Sequence, residues 1–226
     1  RSNAGPLAGK RGLESCDPTP ANPYVVQPYA EGRDLCTYSI VHHGRVAAHV
    51  SYVHPQIRGA SYGITVESIE APDALALTRK ICGATGYHGQ ISLDFMQGPN
   101  GLTLVECNPR PSAGLGLMPA DMFRAALADT APDRVLLAPP GARRKLSLTI
   151  IRNMLEHPRQ FLPSLGALVR GGRDIEVDPL DPVPFLYQFR VFYRIGRAWS
   201  RVPRSQRAGL IEHYMQDITW NGEPLA

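Results

Sequence analysis

No stretch of the 226 residues approaches the roughly 18 consecutive apolar residues of a membrane-crossing helix, which argues against a transmembrane helix. The four cysteines, Cys16, Cys36, Cys82 and Cys107, are scattered with no C-x-x-C pair. That spacing argues against a zinc site and leaves free, buried thiols in a reducing compartment as the expectation. The opening Arg1-Ser2-Asn3-Ala4-Gly5 has no apolar core and does not read as a signal peptide, so a cytoplasmic protein is expected. Excess charge is also scarce. The formal net charge of +4 suits an anionic nucleotide and requires no nucleic acid. His42, His43, His49 and His54 lack the i, i+4 helical spacing of a metalloprotease site and read as turn or surface residues. Ser112-Ala113-Gly114-Leu115-Gly116 is too short for a Rossmann or Walker fingerprint, and reads as a loop whose Ser112 and amides could orient a substrate carboxylate.

What is present is a hairpin carrying two acids. Gly89 to Gln97 and Leu102 to Asn108 both alternate with a period of two, and Gly98-Pro99-Asn100-Gly101 between them suits a type I turn with proline second and glycine fourth. A three-residue loop pairing Gly98 with Leu102 makes paired positions sum to 200. Asp94 then faces Glu106 and Ser92 faces Asn108 on one side, with Leu93, Phe95, Val105 and Cys107 pointing into apolar packing on the other. Like charges directly opposite destabilise a sheet, so a cation should offset them. Two carboxylates and an amide oxygen suit Mg²⁺, which takes one or two protein carboxylates and fills its shell with water and phosphates. A hydrogen bond to a neighbour or a pairing with Arg110 would offset the charge without a metal.

Asp94 followed by Glu106-Cys107-Asn108-Pro109-Arg110 resembles the metal-binding end of the ATP-grasp superfamily, where an acid on one strand precedes E-x-N-P-R on the next. Upstream, Tyr24 to Asp34 (YVVQPYAEGRD) resembles the hinge strand of the same fold. The resemblance covers roughly Pro23 to Ala120 and implies an α+β protein of mainly antiparallel sheet with packed helices. It implies that the Gln27 side chain and the backbone of Pro28 and Ala30 meet adenine, and that Asp34 meets the ribose hydroxyls. It further implies that Asp94, Glu106 and Asn108 hold Mg²⁺, which Mn²⁺ can replace, and that Arg110 is the catalytic cation on the transferring phosphoryl group. Gln27 stands where glutamate is commoner. Asp34 also has a plain reading as a solvated acid beside Arg33.

The first residues, 1 to 22, read as linker or as a remnant of the small ATP-grasp subdomain, whose lysine-bearing strands normally precede the hinge; that subdomain is expected to be incomplete. Lys10 reads as a phosphate contact or, more simply, a solvated loop lysine. Residues 23 to 137 form the expected C-terminal ATP-grasp subdomain. Within it, Leu35 to Val41 and Arg45 to Val53 suggest a hairpin about His42-His43-Gly44, with Val46, Ala48 and Val50 on one side, and a helix follows from Pro72 to Thr85. Arg58, in a loop, reads as a phosphate contact or a solvated cation. Residues 138 to 226 are expected to be a helical C-terminal region, with helices at Leu146 to His157, Pro158 to Arg170, Val183 to Ser200 and Arg204 to Gln216. The third is aromatic on one side and carries Arg190, Arg194, Arg197 and Arg201. It could lie on an anionic membrane, but docking on the protein body is favoured. The resemblance implies an ATP- and Mg²⁺-dependent ligase that joins a small-molecule carboxylate to an amine or similar nucleophile through an acyl phosphate. A non-catalytic nucleotide-binding module, or one part of a larger synthetase, is the alternative. A homodimer is compatible with either.

Overall fold

The computed structural model describes residues 19, 28–58, 62–129, 134–175, 177–178 and 180–201. Gln27, Lys10, Cys16 and the helix expected over Arg204 to Gln216 lie outside the described residues. The chain divides into two compact units, Arg1–Arg144 and Lys145–Ala226.

The first unit is built on strands β1 (Arg33–His42), β2 (Arg45–Arg58), β3 (Tyr62–Ile69), β4 (Gly89–Gly98) and β5 (Gly101–Asn108). Their order in the sheet is β5-β4-β1-β2-β3, and each neighbouring pair is antiparallel. A two-residue strand β6 (Leu136–Leu137) runs parallel beside β2. Both faces of β1 are buried, which explains its seven consecutive buried residues, Leu35 to Val41. On one face Leu35, Val41, Val46, Leu93 and Phe95 pack with helix α1 (Pro72–Thr85) through Ala74 and Cys82. On the other, Tyr38, Ile40, Ala48, Val50 and Tyr52 pack with Leu117 of the 3-10 turn Ala113–Leu117 and with Met122 and Ala126 of helix α2 (Ala120–Leu127).

Of the register shifts in the sheet, one in β1–β2 and one in β4–β5 decide which residue faces which around β1 and β4. The β1–β2 turn is closed by His43 (φ 46°) and Gly44 (φ 85°), both left-handed as a two-residue type I′ turn requires. Next to it the register shifts between Ile40 and Val41, leaving Ala47 as the extra residue. Val46 therefore parts from Ala48 and Val50 and lies on the α1 face, contrary to the simple alternation. In the β4–β5 hairpin Gly98 pairs with Gly101 rather than with Leu102, so the loop has two residues and not three. A second shift, between Asp94 and Phe95, leaves Val105 unpaired. It restores the pairing of Asp94 with Glu106 and of Ser92 with Asn108.

Among the described residues, strand β5 is the sheet's margin. Cys107 and Val105 are exposed there, so the expected apolar packing holds for Leu93 and Phe95 alone. The expectation of buried thiols is met by Cys36 and Cys82 and not by Cys107. The glycine-rich segment forms a 3-10 turn. Gly114 is buried against the sheet, where a Cβ would come within 2.6 Å of the Tyr38 Cβ and 2.8 Å of Tyr52 Cε1. Replacing Gly114 with Val is expected to cost about 1–3 kcal/mol by overpacking this contact. An unchanged urea midpoint in that variant would show that the 3-10 turn can lift away without loss.

At the far edge, Ser68 Oγ donates to the Pro139 carbonyl (2.7 Å) and Arg143 Nη2 donates to Glu67 Oε1 (2.9 Å), so residues 139 to 143 run along β3. Strand β7 (Arg143–Lys145) follows β3 in the sheet order.

In the second unit, helices α3 (Ser147–Glu156) and α4 (Phe161–Arg170) pack together through the 3-10 turn Pro158–Gln160. Buried Asn153 joins them, its Nδ2 donating to Gln160 Oε1 and Ser164 Oγ, each at 3.0 Å. Strand β8 (Arg173–Asp174) is followed by Ile175, whose N–H donates to the Lys145 carbonyl at 2.9 Å. Helix α5 (Val183–Arg201) follows, with Phe185 edge-on to Phe189 at 5.3 Å. Among the described residues no helix is long and apolar enough to cross a membrane.

Candidate functional site

Side chains of a strand alternate between faces, so the β1–β2 and β1–β4 registers place Asp34, Cys36, His54, Tyr52, Asp94 and Glu106 on one face. Cys36 is the hub. It pairs with Tyr52 on one side and with Asp94 on the other. Continuing the β1–β2 register by two residues sets Asp34 beside His54, and the side chains meet, His54 Nδ1 lying 2.6 Å from Asp34 Oδ2.

At the other end of the strip Asp94 stands opposite Glu106, and Asn108 Nδ2 donates to Asp94 Oδ2 at 3.3 Å. Among the described residues neither acid forms an ion pair, so the repulsion between them is not offset by a basic side chain. Glu106 is exposed and Asp94 half-buried, which leaves the pair open to solvent and to a ligand. The donor set fits a hard divalent cation. The two carboxylates are hard oxygen donors of the kind Mg²⁺ takes, and Asn108, whose amide N–H is directed at Asp94, would offer its oxygen to an ion by turning its amide over.

Buried Ser92 donates its hydroxyl to the Arg110 carbonyl at 3.0 Å, and the Arg110 N–H donates to the Asn108 carbonyl at 2.7 Å. These two bonds fix the chain just beyond the acids. The Arg110 side chain itself is exposed, with Nη1 donating to the Pro111 carbonyl at 3.2 Å. It forms no pair with Asp94 or Glu106.

Pro28 is exposed and Ala30 half-buried in the extended segment that enters β1. Gly32 follows with φ 152°, and a Cβ there would stand 2.5 Å from the Gln97 carbonyl oxygen. Only glycine fits that conformation and that approach, so the entry segment crosses the end of β4 directly.

The floor between the two ends is buried, formed by Cys36 and Tyr52. Burial pushes the Cys36 thiol well above its ordinary range, with the Asp94 carboxylate adding to it. Tyr52 is also raised by burial, and its hydroxyl meets Ser112 Oγ at 3.0 Å. Both groups are therefore neutral near pH 7. The sequence alone marks Cys36 only as a buried thiol and His54 only as a turn or surface histidine, and gives no role to Tyr52. The register sum across β1 and β2 would have found His54, but only with the bulge at Ala47 known.

No family model matches the chain, and no curated protein matches it. Solved structures similar to it include phosphoribosylamine–glycine ligase from Thermotoga maritima, 18% identical over 51% of this chain and 35% of that one, with a TM-score of 0.38. Pyruvate carboxylase from Rhizobium etli is 17% identical over 49% of this chain and 13% of that one, at a TM-score of 0.37. The ATP-grasp ligase PsnB, solved with a minimal precursor, is 18% identical over 46% and 36%, at 0.33. The chain thus spans about a third or less of the length of these proteins. TM-scores of this size leave any assignment to the chain's own residues.

Proposed function

We propose that this chain carries the nucleotide and metal face of an ATP-grasp ligase, an ATP- and Mg²⁺-dependent enzyme joining a carboxylate to an amine or similar nucleophile. The observation that supports it is the Asp94–Glu106 pair, opposed across a bulged hairpin with Asn108 on Asp94 and no basic side chain between them among the described residues. In this reading Asp94, Glu106 and Asn108 hold Mg²⁺, which supplies charge neutralisation on the phosphates. Asp34 accepts hydrogen bonds from the ribose hydroxyls, and the backbone of Pro28 and Ala30, with Gln27, meets adenine.

Arg110 turns from the Pro111 carbonyl toward the transferring group, where a permanently charged, planar donor suits phosphoryl oxygens. The γ-phosphoryl moves to a carboxylate oxygen as its bond to the ADP oxygen breaks. The amine then attacks the acyl carbon, the carbon–oxygen bond to phosphate breaks, and phosphate leaves. Catalysis of this kind is positioning and electrostatics.

Calorimetric titration with ATP tests the reading. Binding is expected only with Mg²⁺ present, and about tenfold weaker in Asp34→Ala, the effect of losing a charge-assisted hydrogen bond. Absence of Mg²⁺-dependent binding in the wild-type chain would remove the proposal.

A further inference from the structure

A second cluster on the same face has different chemistry. Asp34, Cys36 and His54 each offer one ligand atom, and these atoms all lie within 4.8 Å of one another. They supply one oxygen, one sulfur and one nitrogen. Hard Mg²⁺ disfavours such a set, whereas Zn²⁺ and its neighbours in the first transition row accept it at bond lengths of roughly 2.0–2.3 Å. The all-oxygen set at Asp94 and Glu106 has the opposite preference, so the two positions would sort ions by donor type.

We infer that Asp34, Cys36 and His54 form a binding site for a late first-row divalent cation such as Zn²⁺, with a fourth position left open to solvent. The scaffold is already in place. Cys36 is fixed in the central strand between β2 and β4, and the His54 ring is held edge-on to Tyr52 at 5.5 Å. Asp34 is the adjustable member, its side chain 48% exposed, so it can open the 2.6 Å contact with His54 to admit an ion. That exposed carboxylate also provides the way in from solvent. Binding breaks the Cys36 S–H bond, the sulfur keeps the electron pair for the metal, and the proton passes to solvent. The residues come from two strands and meet only through the bulged register, so the spacing of cysteines and histidines along the chain gives no sign of them.

Co²⁺ is the probe, because a thiolate ligand produces a near-ultraviolet charge-transfer band and a tetrahedral site produces intense visible bands. The expected result is saturation at one equivalent, reversal of both signals by Zn²⁺, and persistence of both in Cys107→Ser. Cys36→Ser should lose the charge-transfer band, and His54→Gln should weaken Co²⁺ binding at least tenfold. His54→Gln, at a partly exposed position, decides the matter if Cys36→Ser does not fold. No saturable signal in the wild type, a band that survives Cys36→Ser, or unchanged affinity in His54→Gln would overturn the inference. Asp34 is shared with the proposed ribose contact, so cation and nucleotide would compete for its carboxylate; none of these readouts involves nucleotide, so failure here is distinguishable from failure of the ligase proposal.

Discussion

Replacing Glu106 with Gln is expected to weaken Mg²⁺-dependent ATP binding roughly 10- to 100-fold, since even an outer partner of a metal site commonly carries that much. The same substitution should leave folding stability unchanged or raise it by about 0.2–1 kcal/mol. Glu106 faces Asp94 across the ladder, and removing one of two opposed like charges relieves a repulsion. The opposite signs of the two effects are what separate a metal pair from a structural one. Calorimetry and urea unfolding on the same variant read both. A variant that loses stability while keeping Mg²⁺-dependent binding would show that the acids serve the fold and not a metal.

Acid should weaken the first unit through His49. Its ring is buried between two hydroxyls, Nδ1 at 2.8 Å from Ser39 Oγ and Nε2 at 2.9 Å from Ser51 Oγ. Burial, with the Arg79 charge adding to it, pulls its pKa down to about 4. An unfolded histidine titrates near 6.5. Between those values the unfolded chain binds a proton that the folded chain refuses, so stability is fully present above about pH 6.5 and is lost as pH falls toward 4. The full loss is on the order of 3 kcal/mol. Urea midpoints measured from pH 7 to pH 4.5 should fall steeply in the wild type and much less in His49→Gln. Parallel profiles for the two proteins would assign the acid sensitivity to other groups.

Much of the sheet was legible because its punctuation is chemical. Pro99-Asn100-Gly101 and His43-Gly44 mark turns, and the alternating runs beside them mark strands. The hairpin arithmetic reached the Asp94–Glu106 pairing by an assumed three-residue loop. The chain reaches it by a two-residue loop and an extra residue at Val105, and the two shifts cancel. Nothing in an alternating run of apolar residues announces which one will be left out of the ladder. Ala47 hid in the same way, and with it the meeting of Asp34 and His54. A slip of one residue sends a whole side-chain set to the other face, so bulges cost sequence reasoning more than misplaced ends do. Strand β3 goes unread because its pairing with β2 is interrupted by two register shifts, and β6 and β7 because they are only two and three residues long. The close packing of Gly114 is not legible either, because a glycine chosen for a missing side chain and one chosen for its free amide are the same letter.

The marginal position of β5 divides the two acids mechanically. Asp94 sits on β4, clasped by a strand on each side, whereas Glu106 is exposed on a strand that, among the described residues, is held from one side only. Amide protons around Glu106 should therefore exchange with solvent sooner than those around Asp94. A cation held between them would have one fixed and one compliant jaw, able to follow a shifting phosphate with the rest of the sheet at rest.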